Sequence, residues 1–126
     1  MQSIELPKSL KVIGREAFYC CQSLKELNIP EGVVKIGENA IDGCISLETV
    51  TLPSTITSIG EETFYNTKLT CLKVLSSNVV LNDETFECCY YLKEIHVPKA
   101  SVDYYKKLLA SSVNPSLINV TVKAIK

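Results

Sequence analysis

The stretch that decides the fold is "NIPEGVVKIGENAIDGC", residues 28–44, because the chain contains it in three versions. "ELPKSLKVIGREAFYCC" occupies residues 5–21 and "TLPSTITSIGEETFYNT" occupies residues 51–67, so each version begins 23 residues after the one before. All three place a proline, an Ile-Gly pair and a large apolar residue at the same positions. A repeat at a fixed period of this length indicates a stacked-repeat architecture.

A second apolar pattern, a relaxed L-x-x-L-x-L, recurs once in each unit. Its four copies are Leu24/Leu27/Ile29, Leu47/Val50/Leu52, Leu69/Leu72/Val74 and Leu92/Ile95/Val97. The alternation at the end of each copy predicts a short strand with one face inward, and such a strand buries that face only by stacking on its neighbours. Pro30, Pro53 and Pro98 should end the hydrogen-bonding ladder, since proline has no N–H to donate. The third unit has Leu75 at that place.

The rest of each unit should form the opposite wall and the end of the coil. The apolar pairs predicted to build this wall are Leu10 and Ile13, Val33 and Ile36, Ile56 and Ile59, and Val79 and Leu81. The glycine after each isoleucine is expected to allow a sharp turn. Phe18, Ile41, Phe64 and Phe86 then follow in what we predict to be short helical turns, with the large side chain closing the coil.

These residues resemble a known family. The pattern "IP..V..IG..AF..C.SL..I.IP" is similar to the BspA-like, Treponema-type leucine-rich repeat over Ile4 to about Pro98, and "VPKASVDYYKKLL" is similar to the segment that often closes such arrays. The chain departs from the family pattern at four positions, Ile41, Thr67, Leu75 and Asn82. The resemblance implies a cell-surface or secreted protein with an adhesion or protein-binding role and no enzymatic activity.

The C-terminal segment is predicted to be a cap. Ser101 can cap a helix whose apolar stripe is Val102, Tyr105, Leu108 and Leu109, and the alternation from Ile118 to Ala124 predicts a last strand. The predicted fold class is an α/β repeat: a short right-handed leucine-rich-repeat β-solenoid of about four coils of 22–23 residues with a helix-strand cap. We expect a single domain over residues 1–126, with repeats in 1–98 and the cap in 99–126, as a fragment of a longer array.

Composition excludes several classes of function. The 126 residues are 46% hydrophobic and 21% charged with a formal net charge of −1, which favours neither nucleic acid nor an anionic membrane as a partner. The chain contains neither an apolar run long enough to insert in a membrane nor a signal peptide. Six cysteines lack any C-x-x-C spacing and His96 is the only histidine, so we predict no metal site and no cofactor.

The cysteines at one repeat position leave two interpretations open. Cys21, Cys44 and Cys89 occupy that position, and Thr67 takes it in the third unit. Stacking could bring Cys21 and Cys44 within disulfide range. The favoured alternative is that each side chain is a small buried residue filling the same pocket in its coil.

The exposed, concave face of the predicted sheet is the candidate binding site. Its residues form two ladders, one of Glu5, Asn28, Thr51, Lys73 and His96, the other of Ser3, Glu26, Thr49, Cys71 and Glu94. We predict a protein or glycoprotein ligand there, although a merely solvated face, and hence a structural spacer that displays neighbouring domains, is the alternative.

Catalysis is not expected from this face. Cys71 and His96 fall in different ladders with no third residue to orient the imidazole, so no residue is predicted to be catalytic. Asn119 begins a glycosylation motif that we interpret as a chance match. The first coil has only half a strand motif, "SIELP", so we expect apolar surface there that either meets further repeats or self-associates with a second copy.

Overall fold

The computed structural model describes residues 4–77, 79, 83–86, 89–111, 117 and 120–125, with the backbone alone at 83. Within these ranges the chain alternates between the strands of two parallel sheets as far as its sixth strand, and one short helix follows near the C-terminal end. The strands are β1 (Val12–Ile13), β2 (Glu26–Asn28), β3 (Lys35–Ile36), β4 (Thr49–Leu52), β5 (Ser58–Ile59), β6 (Cys71–Val74), β7 (Glu94–Val97) and β8 (Thr121–Ala124). Two 3₁₀ turns (Asp83–Phe86 and Lys99–Ser101) and one helix, α1 (Val102–Ala110), complete the described elements.

The first three coils each contribute one strand to each of two walls, as the two apolar patterns predicted. In the fourth coil Val79 is buried, and Leu81 lies outside the described residues. The larger sheet has the order β2-β4-β6-β7-β8, and the smaller has the order β1-β3-β5. Leu27 pairs with Val50, and Val50 with Leu72, so the repeat positions stack on one another. The side chains between the walls are buried in one continuous core that runs from Ile13 to Val122. The fold class is therefore the short leucine-rich-repeat solenoid predicted from the repeat.

Strands end directly before proline in two units, but the unit without a proline also ends its strand, β6, at the same place. β4 ends directly before Pro53 and β7 directly before Pro98. In the third unit Leu75 stands at the proline position, and its N–H donates to the Leu52 carbonyl at 3.0 Å. That bond is the one a proline at this place could not make.

The glycines after each isoleucine have a different role from the predicted one. The backbone φ is not positive at any of these three glycines, Gly14, Gly37 and Gly60, so no left-handed turn requires them. A Cβ on Gly60 would instead lie 2.4 Å from the Glu38 nitrogen, and one on Gly37 would lie 2.6 Å from the Arg15 nitrogen. These glycines let the backbone of one coil lie directly against the backbone of the coil before it. Gly14, in the first coil, has nothing within 4 Å of that position.

The turns that close the coils are linked to one another by backbone hydrogen bonds. The segments before Phe18, Ile41 and Phe64 are turns, and only the fourth, Asp83–Phe86, is a 3₁₀ helix. The Phe18 N–H donates to the Ala40 carbonyl at 2.7 Å, which joins the first coil to the second. The rings of Phe64 and Phe86 stack with their centroids 5.7 Å apart. The prediction that the large side chain closes each coil is confirmed at Ile41, Phe64 and Phe86, which are fully buried.

The cap covers the C-terminal end of the core. In α1, Tyr105 is buried, Val102, Leu108 and Leu109 pack against the core, and both lysines are exposed, as the stripe predicted. Ser101 is at the N-cap position but makes no side-chain capping bond, because the helix continues directly from a 3₁₀ turn. β8 extends the large sheet, with Val122 paired to Ile95. Ala124, predicted to face inward, is exposed on this last strand.

Candidate partner-binding face

The exposed side of the large sheet carries two rows of side chains in the register that the repeat predicted. Consecutive members of each row are partners on adjacent strands. One row is Asn28, Thr51, Lys73 and His96, and the other is Glu26, Thr49, Cys71 and Glu94. We call these eight residues, together with Thr121 and Lys123 of β8, the ladder face. Glu5 is exposed but lies in no strand, so the sheet begins at β2. Ser3 and Asn119 lie outside the described residues.

Alternation along each strand is what directs these side chains outward. In β4 the buried Val50 and Leu52 flank Thr51, and in β7 the buried Ile95 and Val97 flank His96. Because successive side chains of a strand point to opposite faces, burial of the apolar residues leaves the intervening residues on the opposite face. The ladder face is thus a consequence of core formation, and its residue types are free of the packing requirement.

The N-terminal half of the ladder face is polar and internally hydrogen-bonded. Asn28 donates from Nδ2 to Glu26 Oε1 at 3.1 Å, two residues along the same strand. Thr49 and Thr51 follow on β4 with short side chains, the former exposed and the latter half-buried. This half therefore offers carboxylate, amide and hydroxyl groups to a partner, without an aromatic side chain.

The C-terminal half gathers the charged residues. His96 Nε2 lies 2.9 Å from Glu94 Oε1, and Lys123 Nζ donates to Glu94 Oε2 at 2.6 Å. The hydrogen bonds from Lys123 and then His96 hold the pKa of Glu94 below its usual value. Burial, and after it the Glu94 charge, raises the pKa of the neighbouring Cys71 thiol. Cys71, Glu94 and His96 place one ligand atom each within 4.8 Å of one another.

This convergence was missed from the sequence because the two ladders were treated separately. Cys71 and Glu94 are directly opposite one another on adjacent strands, and His96 is two residues along β7 on the same face. His96 is thus diagonal to Cys71, at about 8 Å between Cα atoms for ordinary strand spacing. The Lys123 contact could not be read from the repeat, because β8 pairs with β7 at an offset of 27 residues, outside the 23-residue period. The observation that could have indicated it is the alternation around Val122.

The repeated cysteine position is a buried hydrogen-bond donor in the second and fourth coils, at Cys44 and Cys89. The five described cysteines are free thiols, and Cys44 and Cys89 are buried whereas Cys21 is exposed. Cys44 Sγ contacts the Phe18 carbonyl at 3.1 Å, and Cys89 Sγ contacts the Phe64 carbonyl at 3.2 Å. Thr67 also donates to the Phe64 carbonyl, at 2.9 Å, but that carbonyl belongs to its own coil, whereas each cysteine bonds to the coil before its own. The pocket-filling interpretation is confirmed at Cys44 and Cys89, and it is wrong at Cys21, whose side chain is exposed.

The repeat, the two parallel walls and the cap together match one family description. The BspA type leucine rich repeat region matches residues 1–120, in six copies. The chain belongs to this family. A comparison with curated proteins found no match. The fold family is one that generally serves in protein interaction and generally lacks enzymatic activity.

Three solved bacterial structures, two of them leucine-rich repeat proteins, are similar to this chain. A leucine-rich repeat protein from Bacteroides ovatus is 27% identical with a TM-score of 0.62 over 78% of this chain, which spans 32% of that protein. The T. pallidum leucine rich repeat protein is 19% identical with a TM-score of 0.63; the match covers 98% of this chain and 69% of the T. pallidum protein. The pneumococcal vaccine antigen PcpA is 19% identical with a TM-score of 0.55; the match covers 100% of this chain and 42% of PcpA.

Proposed function

We propose that this BspA-type repeat is a non-enzymatic interaction module that binds a protein or glycoprotein through the ladder face, on or outside the cell. The observation that carries the proposal is the ladder face itself. Two registered rows of polar side chains run across the strands of one sheet, and none of their residues is needed to fill the core. Stacked repeats commonly bind partners on such a surface.

The location outside the cell is supported by family membership and by the likeness to a vaccine antigen. In the part of the chain that the structure describes, no helix has the length and apolar character to cross a membrane. An adhesion role is the specific form of this proposal. A structural spacer that displays neighbouring domains is the alternative, and it needs the same fold without a partner on the ladder face.

The test compares two surfaces of the same molecule. Lys73 on β6 and Lys35 on β3 are both exposed lysines in the middle strand region of their sheets, but only Lys73 is on the ladder face. Purified chain, Lys73→Glu and Lys35→Glu are immobilised and titrated with a panel of purified extracellular-matrix glycoproteins, before and after enzymatic removal of their glycans.

We expect saturable binding of at least one panel member by the unmodified chain. Lys73→Glu should weaken it about three- to tenfold, as loss of one charge at an interface rim does, while Lys35→Glu leaves it unchanged. Glu26→Lys should behave like Lys73→Glu. Binding that Lys35→Glu reduces as much as Lys73→Glu would refute the ladder face as the site, and no saturable binding to any panel member would favour the spacer.

A further inference from the structure

We propose that Cys71, Glu94 and His96 form a binding site for a thiophilic divalent transition metal, with Zn²⁺ as the expected ion. The side chains come from two adjacent parallel strands, and their sulfur, carboxylate oxygen and imidazole nitrogen all lie within 4.8 Å of one another. The local spacing of cysteines and histidine in the sequence predicted no metal site. The cluster is assembled by strand pairing instead, and it stands whether or not the ladder face binds a partner.

The distances suit a tetrahedral site after small side-chain adjustments. Zinc binds cysteine sulfur at about 2.3 Å and histidine nitrogen or carboxylate oxygen at about 2.0–2.2 Å, so its ligand atoms are separated by about 3.5 Å. Contraction from 4.8 Å to that separation requires movements of about 1 Å, which side-chain rotation at partly exposed positions can supply. His96 and Glu94 are already close enough, at 2.9 Å between Nε2 and Oε1, and a bound ion would replace the proton that they share.

The two oxygens of Glu94 have separate roles. Lys123 Nζ holds Oε2 at 2.6 Å, which orients the carboxylate and leaves Oε1 directed towards His96. Such outer hydrogen bonds to a ligating carboxylate are typical of metal sites. Zinc binding would form an Sγ–metal bond at Cys71 and release the thiol proton to solvent, and three protein ligands would leave a fourth position open to water.

The charges around the cluster select the kind of ion. Lys73 and Lys123 lie on the strands to either side of His96, each paired with it in the sheet register. Ca²⁺ and Mg²⁺ are hard cations that need several oxygen ligands, and here they would find one carboxylate between two lysines. A thiolate and an imidazole favour zinc and its spectroscopic substitute cobalt. We therefore expect Zn²⁺ and Co²⁺ to bind, and Ca²⁺ and Mg²⁺ not to compete.

The test uses the reduced, metal-free chain titrated with Co²⁺ and then with Zn²⁺. One equivalent of Co²⁺ should give the thiolate-to-cobalt charge-transfer absorption and the intense visible bands of a four-coordinate site, and one equivalent of Zn²⁺ should remove them. Cys71→Ser should abolish the charge-transfer band. His96→Gln and Glu94→Gln should each weaken Co²⁺ binding by at least about 100-fold, the upper end of what loss of an outer-shell partner costs.

The matched control is the double variant Cys20→Ser/Cys21→Ser, which removes the two exposed neighbouring thiols outside the cluster. It should bind Co²⁺ as the unmodified chain does. Circular dichroism confirms folding of each variant, and His96→Gln keeps the test decisive if Cys71→Ser does not fold. No charge-transfer band in the unmodified chain, a band that Cys71→Ser retains, or one ion per two chains would overturn the proposed site.

Discussion

Replacing Gly60 by alanine tests whether the Ile-Gly glycines serve the stacking of coils. The added Cβ would lie 2.4 Å from the Glu38 nitrogen and 2.6 Å from the Gly37 carbonyl carbon, against an ordinary contact of at least 3.4 Å. Both atoms belong to the backbone of the preceding coil, so no side-chain rotation can relieve the clash. The two coils would have to separate by about 1 Å at this point, the difference between 3.4 and 2.4 Å.

That separation has two costs. Overpacking of this size destabilises a protein by about 1–3 kcal/mol. The Gly60 N–H also donates to the Ile36 carbonyl at 2.8 Å, and stretching this bond by 1 Å forfeits it, for about 1 kcal/mol. Alanine recovers about 0.4–1 kcal/mol by restricting the unfolded chain. We therefore expect Gly60→Ala to lower the free energy of unfolding by about 1–3.5 kcal/mol.

Gly14 supplies the matched control, because it is the same repeat position in the first coil. A Cβ added to Gly14 meets nothing within 4 Å, and the φ of Gly14 is outside the positive range. The only effect that remains is the smaller conformational freedom of alanine in the unfolded chain. Gly14→Ala should leave stability unchanged or raise it by up to about 1 kcal/mol. Gly37→Ala should be intermediate, because its Cβ would lie 2.6 Å from the Arg15 nitrogen, a smaller overlap than the 2.4 Å at Gly60.

Equilibrium urea unfolding followed by far-UV circular dichroism measures all three variants. With a slope of about 2 kcal/mol per molar urea for a small protein, the Gly60→Ala midpoint should fall by about 0.5–1.8 M. Equal midpoints for Gly60→Ala and Gly14→Ala would refute the stacking explanation and restore the turn conformation as the reason for this glycine.

Three further predictions concern buried hydroxyl and thiol groups and the first coil. Tyr105→Phe removes the hydroxyl that accepts from the Val79 N–H at 3.1 Å, and it should lower the free energy of unfolding in urea by about 1–3 kcal/mol. Tyr91→Phe removes a hydroxyl from an exposed side chain and should leave that free energy unchanged. Burial raises the pKa of the Cys44 thiol from 9.0 to about 11. The stability that the neutral buried thiol contributes to the folded state is therefore complete below pH 9 and is lost as the pH rises towards 11. The difference in the free energy of unfolding between the reduced chain and Cys44→Ala should shrink by about 2–3 kcal/mol over that range. Light scattering at high concentration should detect a dimer that Phe18→Ser abolishes, since Phe18 is only partly buried; a monomer throughout would exclude pairing through the first coil.

The sequence was sufficient for the walls of the solenoid because each wall depends on a single local rule. Alternation of apolar residues gave the strands, and the fixed period gave their register, down to the pairing of Asn28 with Thr51 and of Thr49 with Cys71. The reason for the glycines was wrong for a physical cause. A glycine that permits a positive φ and a glycine that permits close backbone approach look identical in sequence. In these turns a positive φ occurs instead at Glu16, Asn39 and Glu62, two residues after each glycine.

The metal-ligand cluster shows a different limit of sequence interpretation. Metal sites are recognised in sequence when their ligands are close along the chain, as in a turn or a helix. On a parallel sheet built from repeats, residues directly opposite one another on adjacent strands are about one repeat period apart along the chain. Diagonal neighbours are separated along the chain by that period plus or minus two residues. Cys71 and His96 are 25 residues apart, which matches neither a local motif nor the repeat itself. A search of any such solenoid for ligand pairs at one period plus or minus two residues would find clusters of this kind. Because the core fixes every second residue of each strand, it is the intervening positions alone that can accumulate them.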